Sequence, residues 1–209
     1  MTAPSTPQDD PATFQDAHLR EHLLHSQVLF QGKFLNAYRD EVRLPDGSVS
    51  NREYVKHPGA VVIAAQLPDG RYVMERQFRY PVQRVMVEFP AGKLEQGEAP
   101  LRCAQRELLE ETGYQAQQWA HAGLMHPCIG YSNEFIDIWF AKDLQLGARH
   151  LDEGEFLDVF SASLPEMLDW TRQGMLTDAK SMSVLLWLQN LHLGAWSLDW
   201  HKTEPISDN

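Results

Sequence analysis

Apolar and polar residues alternate from Val28 to Phe30 and again from Phe34 to Leu44, the two-residue period of β-strands. Pro45-Asp46-Gly47 is a turn signal and predicts a hairpin into a strand at Ser50–Lys56. Val61–Ala65 is apolar throughout and reads as a short buried strand. A second turn, Pro68-Asp69-Gly70, leads to strands at Tyr72–Gln77 and Val85–Phe89. The period then lengthens. Pro100–Thr112 reads as a helix, with proline in its first turn and Gly113 as its stop. Leu101, Ala104 and Leu108 fall three and four apart and form its core-facing stripe. Strands return at Trp119–Met125, Phe135–Ala141 and Phe156–Phe160. Ser163-Leu-Pro-Glu166 has capping-box spacing and opens a helix through about Arg172. Asp178 or Thr177 caps a last helix running to about Leu193. Many strands, one helix, more strands and two helices make an α+β fold with a mixed sheet, not a regularly alternating one.

The ends read differently. Residues 1–17 are rich in Pro, Thr, Asp and Gln and are expected to be a disordered lead-in. The stretch from about His201 is expected to be a frayed tail. The start of the chain has neither a basic n-region nor an apolar h-region, so a secretory signal is not expected. No uncharged apolar run is long enough to span a bilayer, and the expected location is the cytoplasm.

Charge narrows the field. The 209 residues carry 18 Lys plus Arg against 29 Asp plus Glu, for a formal charge of −11. That excess argues against a nucleic-acid binder, which needs a basic footprint. It does not exclude an anionic substrate, because a bound divalent cation inverts the local charge. The two cysteines, Cys103 and Cys128, are too few for a disulfide scaffold and lack zinc-site spacing.

One stretch concentrates the acids. Glu107, Glu110 and Glu111 stand at i, i+3 and i+4, so a helix places all three on one face. Carboxylates that close repel. A hard divalent cation such as Mg²⁺ or Mn²⁺, which favours oxygen ligands, relieves the repulsion. Arg106 lies four residues before Glu110 and partly offsets the charge. The preceding loop, Pro90-Ala91-Gly92, contains a glycine that lets the backbone approach a ligand or metal closely. A solvated acidic helix face would explain a bare REL-x-EE run. The full pattern is longer: Gly92, five residues, Glu98, seven residues, Arg106-Glu107-Leu108, one residue, Glu110-Glu111, one residue, Gly113, then Tyr114.

With every fixed position filled, this stretch resembles the Nudix box, and the chain is identified by it as similar to the Nudix hydrolases. The resemblance implies a mixed β-sheet sandwiched between helices and hydrolysis of a nucleoside diphosphate linked to another moiety. Carried over position by position, it implies that Glu107, Glu111 and the Ala91 carbonyl are metal ligands, with Glu110 as helper. Gly92, Glu98, Arg106 and Gly113 brace the loop and helix.

The flanks resemble the ADP-ribose pyrophosphatase branch over roughly residues 28–195. Arg52-Glu53-Tyr-Val-Lys-His-Pro-Gly59 resembles its opening strand, and Gln77-Phe78-Arg79-Tyr80-Pro81 with Glu88-Phe89-Pro90-Ala91-Gly92 its approach to the box. Gly130-Tyr131-Ser132-Asn133-Glu134 is similar to its loop after the box, Asp152-Glu153-Gly154-Glu155 to its acidic loop, and Gly174–Lys180 to the start of its last helix. The resemblance then implies that Glu153 is the base for the attacking water, that Glu155 is a further metal ligand, and that Arg79 clamps phosphate. By the same resemblance, Phe34, Arg52 and Glu53 are expected to help hold adenine and to reach across a homodimer interface. Cys128, Ile129, Gly130 and Glu134 line the substrate side. The implied layout is an N-terminal antiparallel β segment over residues 18–58, used for dimerisation and substrate binding, and a Nudix domain over residues 59–200. Two or three Mg²⁺ or Mn²⁺ ions and a small-molecule substrate complete the expectation. Ile129 departs from the proline usual in that branch, which keeps GDP-mannose or another nucleotide sugar as an alternative substrate. A catalytically idle nucleotide sensor is the alternative of another class.

Overall fold

The computed structural model describes residues 16–151 and 153–203. Most of the expected lead-in and the last six residues of the tail lie outside them, as does Asp152 of the acidic loop. Asp16–Leu19 form a short 3₁₀ turn. The chain divides into two compact units. One comprises the described residues up to Lys56 together with Gly130–Ser132, and the other holds His57–Ile129 and the described residues from Asn133 on.

The N-terminal unit is an antiparallel meander of β1 (His22–Gln31), β2 (Asn36–Arg43) and β3 (Val49–Lys56). Its second hairpin turns where proline, aspartate and glycine predict it. Asp46 accepts from the Ser48 N–H and hydroxyl, and Gly47 takes the left-handed backbone (φ 88°). Strand β1 is exposed along its whole length, with Leu23, Leu24, Val28, Leu29 and Phe30 all open to solvent.

In the larger unit, β4 (Ala60–Ala65) lies inside a five-stranded sheet with β7 (Ala91–Lys93), β8 (Tyr114–Met125), β9 (Ile136–Leu146) and β11 (His201–Lys202), ordered β11-β8-β9-β4-β7. The β4–β9 pair is parallel and the others are antiparallel, so the sheet is mixed. A second, antiparallel sheet is ordered β10 (Leu157–Ala162), β5 (Tyr72–Arg79), β6 (Arg84–Glu88). Every residue of β4 is buried, because helices cover both faces. Val61, Ile63 and Ala65 pack in one cluster with Cys103, Ala104 and Leu108 of α1 (Pro100–Thr112). Val62 and Ala64 pack on the opposite face with Met167 of α2 (Leu164–Arg172) and with Val184 and Leu188 of α3 (Ala179–His192). The alternation along one strand thus builds two cores, the α+β sandwich that the sequence predicts.

The helices begin and end where their chemistry says. Gly113 closes α1 in the left-handed region (φ 77°), Ser163 and Glu166 form the reciprocal capping box of α2, and Asp178 caps α3. Several strand limits differ from the sequence reading. β1 starts six residues before Val28, β7 adds a short strand, β8 starts five residues before Trp119, β9 runs five residues past Ala141, and β11 makes a strand of the first two tail residues.

Candidate active site

The box begins with a loop held at successive residues. Glu88, at the end of β6, accepts both arms of the Arg79 guanidinium (2.8 and 2.9 Å) and the Lys180 ammonium. The Phe89 N–H donates to Ser181 Oγ (3.1 Å), and that hydroxyl donates to the α3 cap Asp178 (2.7 Å). Pro90 O accepts from the Ile63 N–H (2.8 Å), and the Ala91 N–H donates to Glu111 Oε2 (3.1 Å). A fixed loop fixes the direction of its carbonyls, including that of Ala91. Gly92 follows because nothing larger fits: a Cβ there would fall 1.8 Å from the Glu107 carboxyl carbon.

Helix α1 then sorts its acids by depth. Arg106 uses its fork on the structural side. Nε and NH2 meet Glu98 (both 2.9 Å), NH1 reaches Glu107 (2.9 Å) and Glu110 (3.0 Å), and NH2 also donates to Lys93 O (3.2 Å). The Arg106 hydrogen bonds hold the Glu98 carboxyl below the usual carboxylate range. On the inner side the opposite holds. Burial pushes Glu107 up to about 7, and pushes Glu111 well up, with Glu75 the strongest of the neighbouring charges on Glu111. Glu155 acts on both from the acidic loop, where Gln77 Nε2 donates to it (3.1 Å).

Glu75 had no role in the sequence reading, yet it is 3% exposed and pushed up to about 8, first by burial and then by Glu155 and Glu88. Among the described residues its Oε1 has no hydrogen-bond partner. Lys180 and Glu88 also carry more of the site than their sequence motifs signalled. A usable signal existed. In β5 the two-residue period puts Val73, Glu75, Gln77 and Arg79 on one strand face, a polar row continuing a core position.

The structure therefore brings Ala91, Gly92, Glu107, Glu111 and Glu155 together with Glu75, and places Arg79 on Glu88 beside them. Glu110 is turned to Arg106, and Glu153 stands exposed in the turn two residues before Glu155. Cys128 is half-buried and Ile129 is 83% exposed. Glu134 lies 3.7 Å from His57 Nδ1, and burial lowers the His57 pKa. In the N-terminal unit Phe34 and Gly130 are exposed, Arg52 pairs with Glu21, and Glu53 accepts from Arg39 (2.9 and 2.6 Å). A cavity of about 550 Å³ lined by Tyr72, Phe140, Lys142 and Trp200 contains none of these carboxylates.

The donor set suits a hard divalent cation. It is all oxygen, and it combines carboxylates crowded in a buried place with a carbonyl on a fixed loop. One buried carboxylate oxygen has no partner among the described residues, and the glycine is cut to admit Glu107. As the side chains stand among the described residues, no three His, Cys, Asp or Glu groups are placed to hold a metal ion together. Arg106 occupies part of Glu107.

Comparison with known proteins agrees with this geometry. Residues 55–181 match the NUDIX domain model, and residues 21–55 match the nucleoside diphosphate sugar hydrolase N-terminal domain. The chain is 39% identical over 173 residues to the ADP-ribose pyrophosphatase of Bacillus subtilis (strain 168), covering 82% of this chain and 94% of that one. It is 38% identical over 173 residues to the methanol dehydrogenase activator of Bacillus methanolicus, covering 81% and 92%. A solved structure described as an ADP compounds hydrolase shares the fold, with a TM-score of 0.75 at 20% identity, over 84% of this chain and 96% of that one. A complete box, folded with its acids around one glycine, and a domain model matched over residues 55–181 lead to one conclusion: the chain belongs to the Nudix family.

Proposed function

We propose that this Nudix enzyme hydrolyses the diphosphate of ADP-ribose and related ADP-sugars, giving AMP and ribose 5-phosphate from ADP-ribose. The observation that carries the reading is the group of partly buried Glu107 and Glu155 with buried Glu111, which accepts from the Ala91 N–H, on a chain 39% identical to an ADP-ribose pyrophosphatase. Nudix hydrolases work with divalent metal ions. Here the Ala91 carbonyl, Glu107, Glu111 and Glu155, with Glu110 near, would hold two or three Mg²⁺ or Mn²⁺ ions, which would supply charge to neutralise the diphosphate and to stabilise the charge that develops on it.

The chain's own residues supply the rest. Glu153, exposed on its turn, takes the proton of the water that attacks one phosphorus. Arg79, already oriented by Glu88, holds the diphosphate in line. Glu98, Arg106 and Gly113 keep the loop and helix in register. Phe34, Arg52 and Glu53 serve the adenine end, and Cys128, Ile129, Gly130 and Glu134 the loop that meets the substrate. The exposed apolar run of β1 supports a homodimer, since a long apolar edge strand invites a partner. Sedimentation equilibrium should return about twice the 23.9 kDa chain mass; a monomer at micromolar concentration would contradict this. The excess of acid supports a small-molecule substrate over nucleic acid.

The test is phosphatase-coupled phosphate release from ADP-ribose, ADP-glucose, GDP-mannose, NADH and diadenosine polyphosphates with Mg²⁺, and with EDTA as control. A preference for ADP-ribose that EDTA abolishes is expected. Metal-dependent turnover favouring GDP-mannose would move the specificity and assign that shift to the Ile129 loop. Tight binding without turnover of any compound would contradict an enzyme.

A further inference from the structure

Glu75 is a buried acid that the proposed reaction leaves without a task. It lies on β5, the central strand of its sheet, paired with Glu88 of β6 on one side and Val159 of β10 on the other. Like charges directly opposite across a sheet are unfavourable, so each needs an answer. Glu88 has one: the Arg79 guanidinium and the Lys180 ammonium both bind it. Glu75 is as deeply buried, at 3% exposed, and its Oε1 reaches no hydrogen-bond partner among the described residues. Lys180 and Arg149 act on it only through space, and a carboxylate with no direct partner is costly in a dry interior.

Its neighbours show where that oxygen belongs. Gln77, two residues on and on the same strand face, holds Glu155 (3.1 Å). Glu155 is the charge that acts most strongly on Glu75, and Glu75 is the charge that acts most strongly on Glu111. Glu111 is in turn aimed by the Ala91 N–H. Two groups assigned to the metal thus interact electrostatically with a third acid that comes from outside the box.

We infer that Glu75 is a further carboxylate ligand of the divalent-metal site, supplied by β5 and completing an oxygen cage with Glu111 and Glu155. The inference rests on the metal-dependent reading of the site given above.

Mn²⁺ titration by calorimetry and electron paramagnetic resonance, with thermal melts in Mn²⁺ and in EDTA, tests it without substrate. Glu75→Gln keeps the shape and removes the charge. It should bind Mn²⁺ at least about tenfold more weakly. It should also lose most of the Mn²⁺-induced rise in Tm while melting in EDTA no lower than wild type. Glu75→Asp, which keeps the charge but withdraws it by one methylene, should fall between the two. Asp158→Asn, an exposed acid on β10, controls for net charge and should bind Mn²⁺ like wild type. Wild-type Mn²⁺ affinity and stoichiometry in both Glu75 variants would overturn the inference. Glu111→Gln, run alongside, separates the two levels. If it loses Mn²⁺ while the Glu75 variants keep it, only the role of Glu75 fails. If it too binds like wild type, the metal reading itself has failed.

Discussion

Two groups of glutamates meet at the box, one of them joined by Glu75 from β5, and they are kept in opposite ways. Glu98 and Glu110 share the guanidinium of Arg106, and the Arg106 hydrogen bonds keep Glu98 ionised below its usual range. Glu111 and Glu75 lie deeper, repel each other, and are pushed toward their neutral forms. Glu107 sits at the boundary: it touches Arg106 yet titrates near 7 because burial outweighs that contact. Depth alone does not separate the groups, since Glu88 is as buried as Glu75 and is held down by Arg79 and Lys180. The difference is the built-in cation. One group is a finished ion network that shapes the loop and helix. The other is charge assembled without an ion pair among the described residues, which is what a binding site for a metal cation looks like before the cation is considered.

The contrast can be broken from either side. The largest effect should come from Glu111→Gln, which removes a ligand from the unfinished group. We expect a loss in kcat of about a thousandfold, or about 4 kcal/mol of barrier, with the fold retained. Near wild-type turnover would remove Glu111 from the chemistry. Arg106→Met strikes the finished group. It strands Glu98, Glu107 and Glu110 together and should cost about 3 kcal/mol of stability in urea denaturation. A cost near zero would mean the network is decoration. Gly92→Ala puts a methyl where Glu107 passes, and should reduce kcat by about tenfold through displacement of that carboxylate. Unchanged kinetics would mean that Glu107 moves aside freely.

The smallest effect is a drift with pH, and its sign differs between the groups. Glu75 and Glu107 have folded values of about 8 and 7 against 4.5 unfolded. The folded state therefore holds extra protons between these limits. Their contribution to stability is present below pH 4.5 and is lost as pH rises through 7 and 8. Glu98, lowered instead, contributes above 4.5 and loses that contribution as pH falls. In EDTA, Tm should drop by a few degrees between pH 5 and 8, and saturating Mg²⁺ should remove the drop. A Tm that rises with pH in EDTA would reverse the assignment.

The same contrast marks what the sequence discloses. Local rules were enough for α1, whose limits at Pro100 and Gly113 follow from proline and glycine chemistry, and for the capping box at Ser163 and Glu166. The spacing of the box disclosed Glu107 and Glu111, and the i, i+4 relation of Arg106 to Glu110 is a visible contact. The long-range partners were hidden. β11 is two polar residues held by backbone pairing to Gln118 and Trp119, and neither period nor composition signals that. Glu75 lay in plain view on an alternating strand. Its burial depends on β6 and β10, which reach it only through the sheet. The links from Glu88 to Lys180 and from Phe89 to Ser181 span 92 positions, beyond any local pattern.

The most direct test of the account is an anomalous-scattering map from crystals of this protein soaked in Mn²⁺ with a non-hydrolysable ADP-ribose analogue. The account places the Mn²⁺ peaks about 2.2 Å from carboxylate oxygens of the inner group, Glu107 and Glu111 among them, with the diphosphate alongside. Mn²⁺ absent from that group, or seated instead on Glu98 and Glu110 beside Arg106, would contradict it.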